Sequence, residues 1–288
     1  MKLISYGNRY EERAGVRMDD GSYVDIQALI PSVPSSWRAV LSAGIFEDVI
    51  AAYEQGKFDS APRIDPATVR LAPPIPDPTK VICLGLNYRD HAEEQNKPLP
   101  ERPMLFPKVP SALVGHGEAV VLPVDEPNVD HEVEFAFVIG RRAREVKAAD
   151  AYKHMLGYTI MNDVSGRLAQ GREKQWLRAK GFETFGPMGP WIVTSDEIPD
   201  PHALELTCQI NGELRQKSNT HQLIFQLPFL VEYLSRSMTL EPGDVVSTGT
   251  PGGVGVYRDP PIFLKSGDVM RLEIEGIGVL ENTVASGR

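Results

Sequence analysis

Asp130-His131-Glu132-Val133-Glu134-Phe135-Ala136-Phe137-Val138-Ile139-Gly140 is the stretch that decides the fold, because it sets carboxylates at the start of an otherwise apolar strand. Residues two apart in a β-strand point to one face, so Glu132 and Glu134 project together and His131 projects the other way. Burying two like charges is costly unless a cation or hydrogen-bond donors offset them. An isolated Glu-x-Glu pair is typical of the solvated end of a strand, so a second signal is needed to favour a functional site.

A third acid supplies that signal, since Asp163 ends the apolar run from Gly157 to Asn162. Three carboxylates at strand ends, with no cysteine pair or histidine pair beside them, favour a hard cation such as Mg²⁺ or Mn²⁺. Three carboxylates and one divalent ion leave a net negative charge, so a nearby cation is expected. Arg167 and Lys180 in the following segment are candidates.

The remaining pattern predicts a β-rich α+β fold, because short β-like runs recur between turn signals after residue 80. Helices are expected at 37–43, at 46–55 and, most clearly, at 228–238. The proline-dense stretch 71–78 predicts a connector. The expected organisation is a small N-terminal α/β domain (1–70) followed by a catalytic domain (71–288).

The net charge, the cysteines and the apolar runs of the sequence disfavour several classes of function. Thirty lysines and arginines face 39 aspartates and glutamates, giving a net charge of −9 without a basic stripe, which disfavours nucleic-acid and anionic-membrane binding. Cys83 and Cys208 lie far apart in apolar runs, which favours reduced thiols over a disulfide. No secretory segment and no apolar run of membrane-spanning length is visible, so a cytoplasmic protein is expected.

Two further segments carry possible chemistry. His91 and Glu94 would share one face of a short helix after the strand at 81–86, and a carboxylate can orient an imidazole as a general base. Such a pair is also a common surface contact. The glycine-rich turn at 248–255 could present backbone N–H groups and Thr250 to a carboxylate, or could be a plain tight turn. It lacks the lysine and helix of a nucleotide-binding loop.

Taken in order, these segments resemble the fumarylacetoacetate hydrolase superfamily over residues 81–284. The motifs are Gly85-Leu86-Asn87-Tyr88-Arg89-Asp90-His91, Asp130-His131-Glu132-Val133-Glu134, Asn162-Asp163-Val164-Ser165-Gly166-Arg167, Ala179-Lys180-Gly181-Phe182, Gly186-Pro187-Met188-Gly189-Pro190 and Thr248-Gly249-Thr250-Pro251-Gly252-Gly253-Val254-Gly255. The resemblance implies a mixed β-sandwich roll in the catalytic part, a small N-terminal domain and a homodimer.

The resemblance also implies a role for each matching residue. Mg²⁺ or Mn²⁺ would be held by Glu132, Glu134 and Asp163. Water activation would fall to His91 with Glu94, the active-site lysine would be Lys180, and substrate contacts would come from Arg167, Gln170 and Thr250. The segment after His91, up to about Pro110, resembles a mobile lid. Two positions depart from the family pattern, since members commonly have tyrosine at His131 and aspartate at Leu168.

The expected function is hydrolysis of a carbon–carbon bond in a 2,4-dioxo acid, either an acylpyruvate or a 2,4-diketo-3-deoxy sugar acid, with release of pyruvate. His91 would take a proton from water, and Lys180 and Gln170 would stabilise the oxyanion. Alternatives on the same scaffold are an oxaloacetate decarboxylase or tautomerase, a dienoic diacid isomerase and a ureidoglycolate lyase. A metal-dependent binding protein without turnover is the alternative from a different class.

Overall fold

A computed structural model describes residues 1–287, and it confirms a β-rich α+β fold. The strands are β1 Lys2–Tyr6, β2 Arg13–Arg17, β3 Tyr23–Asp25, β4 Leu71–Ala72, β5 Val81–Gly85, β6 Met104–Lys108, β7 Leu113–Val114, β8 Ala119–Leu122, β9 Val129–Asp130, β10 Val133–Ile139, β11 Met155–Asn162, β12 Ser165–Gly166, β13 Gly186–Thr194, β14 Glu205–Ile210, β15 Glu213–Asn219, β16 Val245–Ser247, β17 Val269–Ile274 and β18 Gly278–Ser286. The α-helices are α1 Trp37–Ser42, α2 Phe46–Glu54, α3 Arg89–Glu94, α4 Arg167–Arg172, α5 Leu177–Lys180 and α6 Leu227–Ser237.

Two sheets form the body of the molecule. The larger has 11 strands, nine of them in the order β3-β2-β1-β13-β11-β10-β16-β5-β6, and the smaller has five in the order β15-β14-β17-β18-β8. Strand β10 is buried along its whole length, since β11 pairs with one edge and β16 with the other. This confirms the mixed sheet architecture expected for the catalytic part.

The alternation of β10 assigns its two faces to two cores. Phe135 and Phe137 pack with α6 and with the smaller sheet, whereas Ala136 and Val138 pack with the N-terminal helices, where Trp37 is fully buried. Glu134 shares the parity of Ala136. Glu134 therefore projects from the same face of β10 as Ala136 and Val138, and the N-terminal segment covers that face at the later positions of the strand.

The N-terminal segment continues the larger sheet. Strand β1 pairs with β13, β4 pairs with β1, and side chains from both sides of residue 70 share one hydrophobic cluster. The predicted connector thus contains a two-residue strand before the prolines bend the chain. The division into 1–70 and 71–288 stays a prediction, within a sheet that runs through it.

The sheet register brings four chain segments to one edge. β10 runs antiparallel to β11 and β16, and β16 runs parallel to β5. The beginning of β10 therefore lies beside the ends of β5, β11 and β16. The segments that follow these strands carry His91, Asp163 and the glycine-rich turn, which is why residues distant in sequence form one site.

The predicted lid is only partly an irregular segment. Residues 104–108 form β6, which pairs with β5 at the edge of the larger sheet, because Phe106 is buried against the N-terminal core. The prediction of a lid reaching Pro110 is wrong for that half. Residues 95–103 remain as a largely exposed stretch between α3 and β6.

Among residues 1–287, the structure contains no helix long and apolar enough to cross a membrane.

Candidate metal centre

Three carboxylates meet at the sheet edge. Glu132 precedes β10, Glu134 lies within it and Asp163 follows β11, and each is at most 5 % exposed. One oxygen atom from each lies within 4.8 Å of the others. The structure thus brings together the three residues that the sequence singled out as ligands.

Two buried lysines and an arginine contact this cluster. Lys180 Nζ donates to Glu132 Oε2 at 2.7 Å and to Asp163 Oδ2 at 2.6 Å. Lys108 Nζ donates to the other oxygen of Asp163 and to the Lys180 carbonyl, and Arg167 Nη2 lies 2.8 Å from Glu132 Oε1. The sequence analysis expected at least one basic side chain beside the carboxylates, and the structure places three there.

The surroundings shift the pKa values of two of these carboxyl groups in opposite directions. Burial opposes ionisation of Glu132, but Lys180 and Arg167 outweigh it and hold the pKa of Glu132 below its usual range. For Glu134, burial and the neighbouring Asp163 and Glu132 carboxylates raise the pKa well above its usual range. One carboxylate thus lacks the positive partner that would keep it ionised.

The donor set fits a hard divalent cation. The available ligand atoms are buried carboxylate oxygens, which Mg²⁺ and Mn²⁺ prefer, and the raised pKa of Glu134 marks a deficit of positive charge. Including Asp130, four carboxylates face three basic side chains here. A divalent ion held by Glu132, Glu134 and Asp163 would turn the formal charge from −1 to +1, which suits an anionic substrate.

Arg167 is fixed by an acid that the sequence analysis did not single out. Asp130 accepts from Arg167 Nε at 2.9 Å and from the Gly255 and Val256 backbone amides at 2.8 and 3.0 Å. Arg167 Nη1 donates to Gln170 Oε1 at 2.9 Å. The predicted substrate contacts Arg167 and Gln170 are thus joined to each other and anchored through Asp130.

The predicted dyad forms at the rim of the same cavity. His91 Nδ1 lies 2.9 Å from Glu94 Oε2 on α3, and both side chains are at least three-quarters buried. The cavity measures about 440 Å³ and is lined by His91, Glu132, Glu134, Arg167, Gln170, Lys180, Thr250 and, on its outer side, Gln95, Lys97, Trp176 and Tyr257. One cavity therefore holds both the carboxylate centre and the dyad.

The glycine-rich turn binds carboxylates of the chain itself. Gly249 N donates to Glu134 Oε2 at 3.0 Å and Gly253 N donates to Glu94 Oε1 at 2.8 Å. Gly252 N donates to Asp90 Oδ1 at 3.4 Å, so with the amides on Asp130 this segment donates to four different acids. Glycine amides of this turn thus help to position the carboxylate cluster and the dyad, and the contact of the turn with a substrate carboxylate stays a prediction.

Close packing explains the glycine at 253. Its φ is +100°, and a Cβ there would lie 2.3 Å from the Arg215 carbonyl oxygen. Thr250 Oγ1 accepts from Gln216 Nε2 at 2.8 Å and donates to the Val133 carbonyl at 3.0 Å. Thr250 lines the cavity with its hydroxyl already engaged, so its substrate contact stays a prediction.

The two departures from the family pattern lie outside the centre. The His131 ring lines a separate cavity of about 190 Å³ beside Arg215. The Leu168 amide donates to Glu126 Oε1 at 3.0 Å at the start of α4. Arg167 is thus held by Asp130 and Gln170 without help from position 168.

Among the side chains of the site that the sequence analysis did not single out are Lys108, Asp130 and Gln95. Lys108 was placed in the lid, although a lysine at the end of an apolar strand, two residues after Phe106, was a usable signal. Asp130 was quoted with its motif but given no role. Gln95 hydrogen-bonds His91, and its position directly after the helical pair gave no chemical signal.

Comparison with known proteins gives a family match over the segment that carries these residues. The family model for the fumarylacetoacetate hydrolase C-terminal region matches residues 80–285. The mitochondrial oxaloacetate tautomerase of Xenopus laevis is 43% identical over 289 residues, spanning 99% of this chain and 90% of that protein.

Two solved structures superpose over the whole of both chains. They are the fumarylacetoacetate hydrolase of Exiguobacterium antarcticum (TM-score 0.85, 36% identity) and the maleylpyruvate hydrolase of Sphingobium sp. SYK-6 in complex with manganese(II) and pyruvate (TM-score 0.81, 32% identity). A two-sheet fold with buried carboxylates at one sheet edge thus defines an enzyme scaffold that acts on small molecules. The chain belongs to the fumarylacetoacetate hydrolase family.

Proposed function

We propose that this protein is a divalent-metal-dependent oxaloacetate tautomerase, which interconverts the keto and enol forms of the acid. The observation that carries the proposal is the 43% identity with the Xenopus laevis oxaloacetate tautomerase across nearly the whole of both chains. This supports an alternative considered from the sequence over the expected hydrolysis of a 2,4-dioxo acid.

The charge balance of the site supports the same substrate class. With Asp130 included, Lys108, Lys180 and Arg167 leave the centre one positive charge short of neutral, and Mg²⁺ or Mn²⁺ at Glu132, Glu134 and Asp163 would make it positive. A small dianionic oxo acid is attracted to such a site, and a cavity of about 440 Å³ accommodates one.

Tautomerisation needs one base and a means of holding negative charge on the oxo oxygen. When bound, the metal would supply Lewis acidity at that oxygen. His91 Nε2 takes the C3 proton, since Nδ1 is held by Glu94, and the Lys180 ammonium adds positive charge beside the carboxylate centre. The proton then moves from His91 to the oxygen, so the enol has the atoms of the keto form.

The test follows the absorbance of enol oxaloacetate after mixing with protein and Mg²⁺ or Mn²⁺. We expect the metal-loaded protein to accelerate the approach to equilibrium, and the Glu132→Gln variant to match the buffer rate. The exposed Glu183 lies outside the cavity, so Glu183→Gln is a matched control that should retain activity. No acceleration by the loaded wild-type protein would contradict the proposal.

Hydrolysis of a 2,4-dioxo acid is the second candidate. The His91 and Glu94 pair is suited to water activation, and one structural relative is a maleylpyruvate hydrolase bound to pyruvate. Pyruvate release from an acylpyruvate, coupled to lactate dehydrogenase, measures it directly. We expect this rate to be much lower than the rate of oxaloacetate tautomerisation, and the reverse order would favour the hydrolase.

Assembly and location are proposals of the same kind. A homodimer is expected from the family resemblance, and a cytoplasmic location from the sequence, whereas the Xenopus laevis relative is named as mitochondrial. Sedimentation of the purified protein tests the first. A metal-dependent binding protein without turnover would bind Mn²⁺ and oxaloacetate but leave the enol absorbance at its buffer rate.

A further inference from the structure

Both ring nitrogens of His91 are engaged in this structure. Nδ1 lies 2.9 Å from Glu94 Oε2, and Nε2 lies 2.8 Å from the amide nitrogen of Gln95. The carboxylate of Glu94 also accepts from the Gly253 amide, so it acts as an acceptor and Nδ1 carries the ring proton. Nε2 then holds the lone pair, and the Gln95 amide donates to it.

The orientation of the Gln95 amide follows from its other partners. Its oxygen accepts from Lys97 Nζ at 2.6 Å and lies 3.1 Å from the Tyr257 hydroxyl. An ammonium group can only donate, so the amide oxygen must face Lys97 and the NH₂ group must face His91. The basic atom of the proposed catalytic histidine is therefore covered by a fixed hydrogen bond.

Lys97 differs from the other lysine and arginine side chains that line the cavity. Lys180 and Arg167 are paired with buried carboxylates, whereas Lys97, among the described residues, has no carboxylate oxygen within 4.0 Å of its ammonium group. Its hydrogen bond is to a neutral amide. A carboxylate entering the cavity would form a stronger, charge-assisted bond to Lys97 than the amide oxygen does.

We propose that Lys97, Gln95 and Tyr257 form a subsite for the second carboxylate of a dicarboxylic oxo acid, and that occupation of this subsite uncovers His91 Nε2. The inference rests on the proposed function and deepens it. The incoming carboxylate takes the Lys97 ammonium and the Gln95 N–H, and the His91 lone pair becomes available for the C3 proton. A monocarboxylic oxo acid fills only the metal centre and leaves the histidine covered.

Binding tests the subsite without requiring turnover. The probes are 3,3-difluoro-oxaloacetate, which has no C3 hydrogen, and pyruvate, titrated calorimetrically into metal-loaded protein. In Lys97→Gln, the preference for the dicarboxylate over pyruvate should fall about tenfold to a hundredfold, the range expected for hydrogen bonds to a charged group. Lys217 is exposed and does not line the cavity, so Lys217→Gln should keep the wild-type preference.

Proton exchange tests the covering of His91. In D₂O, a base that removes a C3 proton from pyruvate allows a deuteron from solvent to replace it, so NMR follows the exchange. Gln95→Leu should accelerate this exchange at least about tenfold by exposing Nε2. The same change combined with His91→Ala should abolish the gain, which separates an uncovered base from a loosened structure.

The outcomes separate this inference from the proposed function. If wild-type protein tautomerises oxaloacetate while Lys97→Gln binds both probes as Lys217→Gln does, the subsite is wrong and the function stands. If oxaloacetate is not tautomerised but the dicarboxylate preference depends on Lys97, the function is wrong and the subsite stands. Unchanged pyruvate exchange in Gln95→Leu, with pyruvate affinity retained, would overturn the covering of His91.

Discussion

The carboxylate centre and helix α3 line one cavity but are held in different ways. Glu134 and Asp163 are buried at strand ends and contacted by groups from several elements, whereas α3 is a six-residue helix whose Glu94 side chain is 22% exposed. Strands of the larger sheet fix the centre, and the glycine-rich turn reaches both regions through Glu134 and Glu94. From this difference we expect the carboxylate centre to stabilise negative charge and His91 on α3 to transfer the proton.

The largest effect should come from removing a carboxylate of the centre. Glu132→Gln is expected to lower the tautomerase rate by roughly 10⁴-fold or more, because it weakens the metal site and removes the carboxylate that Lys180 and Arg167 share. Activity and Mn²⁺ binding, the latter by electron paramagnetic resonance, should be lost together. Full Mn²⁺ affinity in an inactive variant would assign Glu132 to another role.

Removing the proposed base on α3 should lower the reaction rate without affecting metal binding at the carboxylate centre. His91→Ala is expected to lower the rate by about 100- to 10,000-fold, the range typical of general base catalysis, while Mn²⁺ affinity is retained. The His221 side chain is exposed, and within residues 1–287 its ring hydrogen-bonds only to Asn219. His221→Ala is therefore the matched control. Loss of Mn²⁺ binding in His91→Ala would break the comparison, since α3 would then belong to the metal site.

Substitution of Asp130 tests whether activity requires the ion pair that positions Arg167. Asp130→Asn weakens the ion pair to Arg167 and the acceptor for the Gly255 and Val256 amides, so the rate should fall about 10- to 100-fold, as for outer partners of metal ligands. Asp125 is exposed and outside the cavity, and Asp125→Asn should behave as wild type. An unchanged rate in Asp130→Asn would show that Gln170 and Glu132 are sufficient to position Arg167.

The pH dependence of metal binding should show the smallest effect. Burial and the adjacent carboxylates raise the pKa of Glu134, so the metal-free protein binds a proton there that a metal ion must displace. Apparent Mn²⁺ affinity should rise with pH, by at most about tenfold per unit, while Glu134 remains protonated. A calorimetric titration in buffers of different ionisation enthalpy counts the released protons.

The stabilisation of the fold by Mn²⁺ should also increase with pH. A carboxyl group with a raised pKa stabilises the metal-free fold below its unfolded pKa, and this contribution is lost as the pH rises through the folded pKa. The increase in Tm on adding Mn²⁺ should therefore grow with pH over that window. A constant increase would indicate that Glu134 is already ionised without metal.

The sequence predicted the centre better than its surroundings for a physical reason. Glu132 and Glu134 are related by strand periodicity and Asp163 ends a visible apolar run, so local pattern was sufficient. Lys108 reaches Asp163 across 55 residues and the Gly255 amide reaches Asp130 across 125, and only the register of the sheet brings them together. The hydrogen bond from Tyr257 to Gln95 likewise joins residues 162 positions apart.

The most direct test of the account is the keto–enol conversion of oxaloacetate by one protein sample, measured after removal of divalent metal with EDTA and again after Mg²⁺ or Mn²⁺ is restored. The account predicts that the metal-free sample shows only the buffer rate and that the restored sample regains the full acceleration. An undiminished rate in the metal-free sample would contradict it.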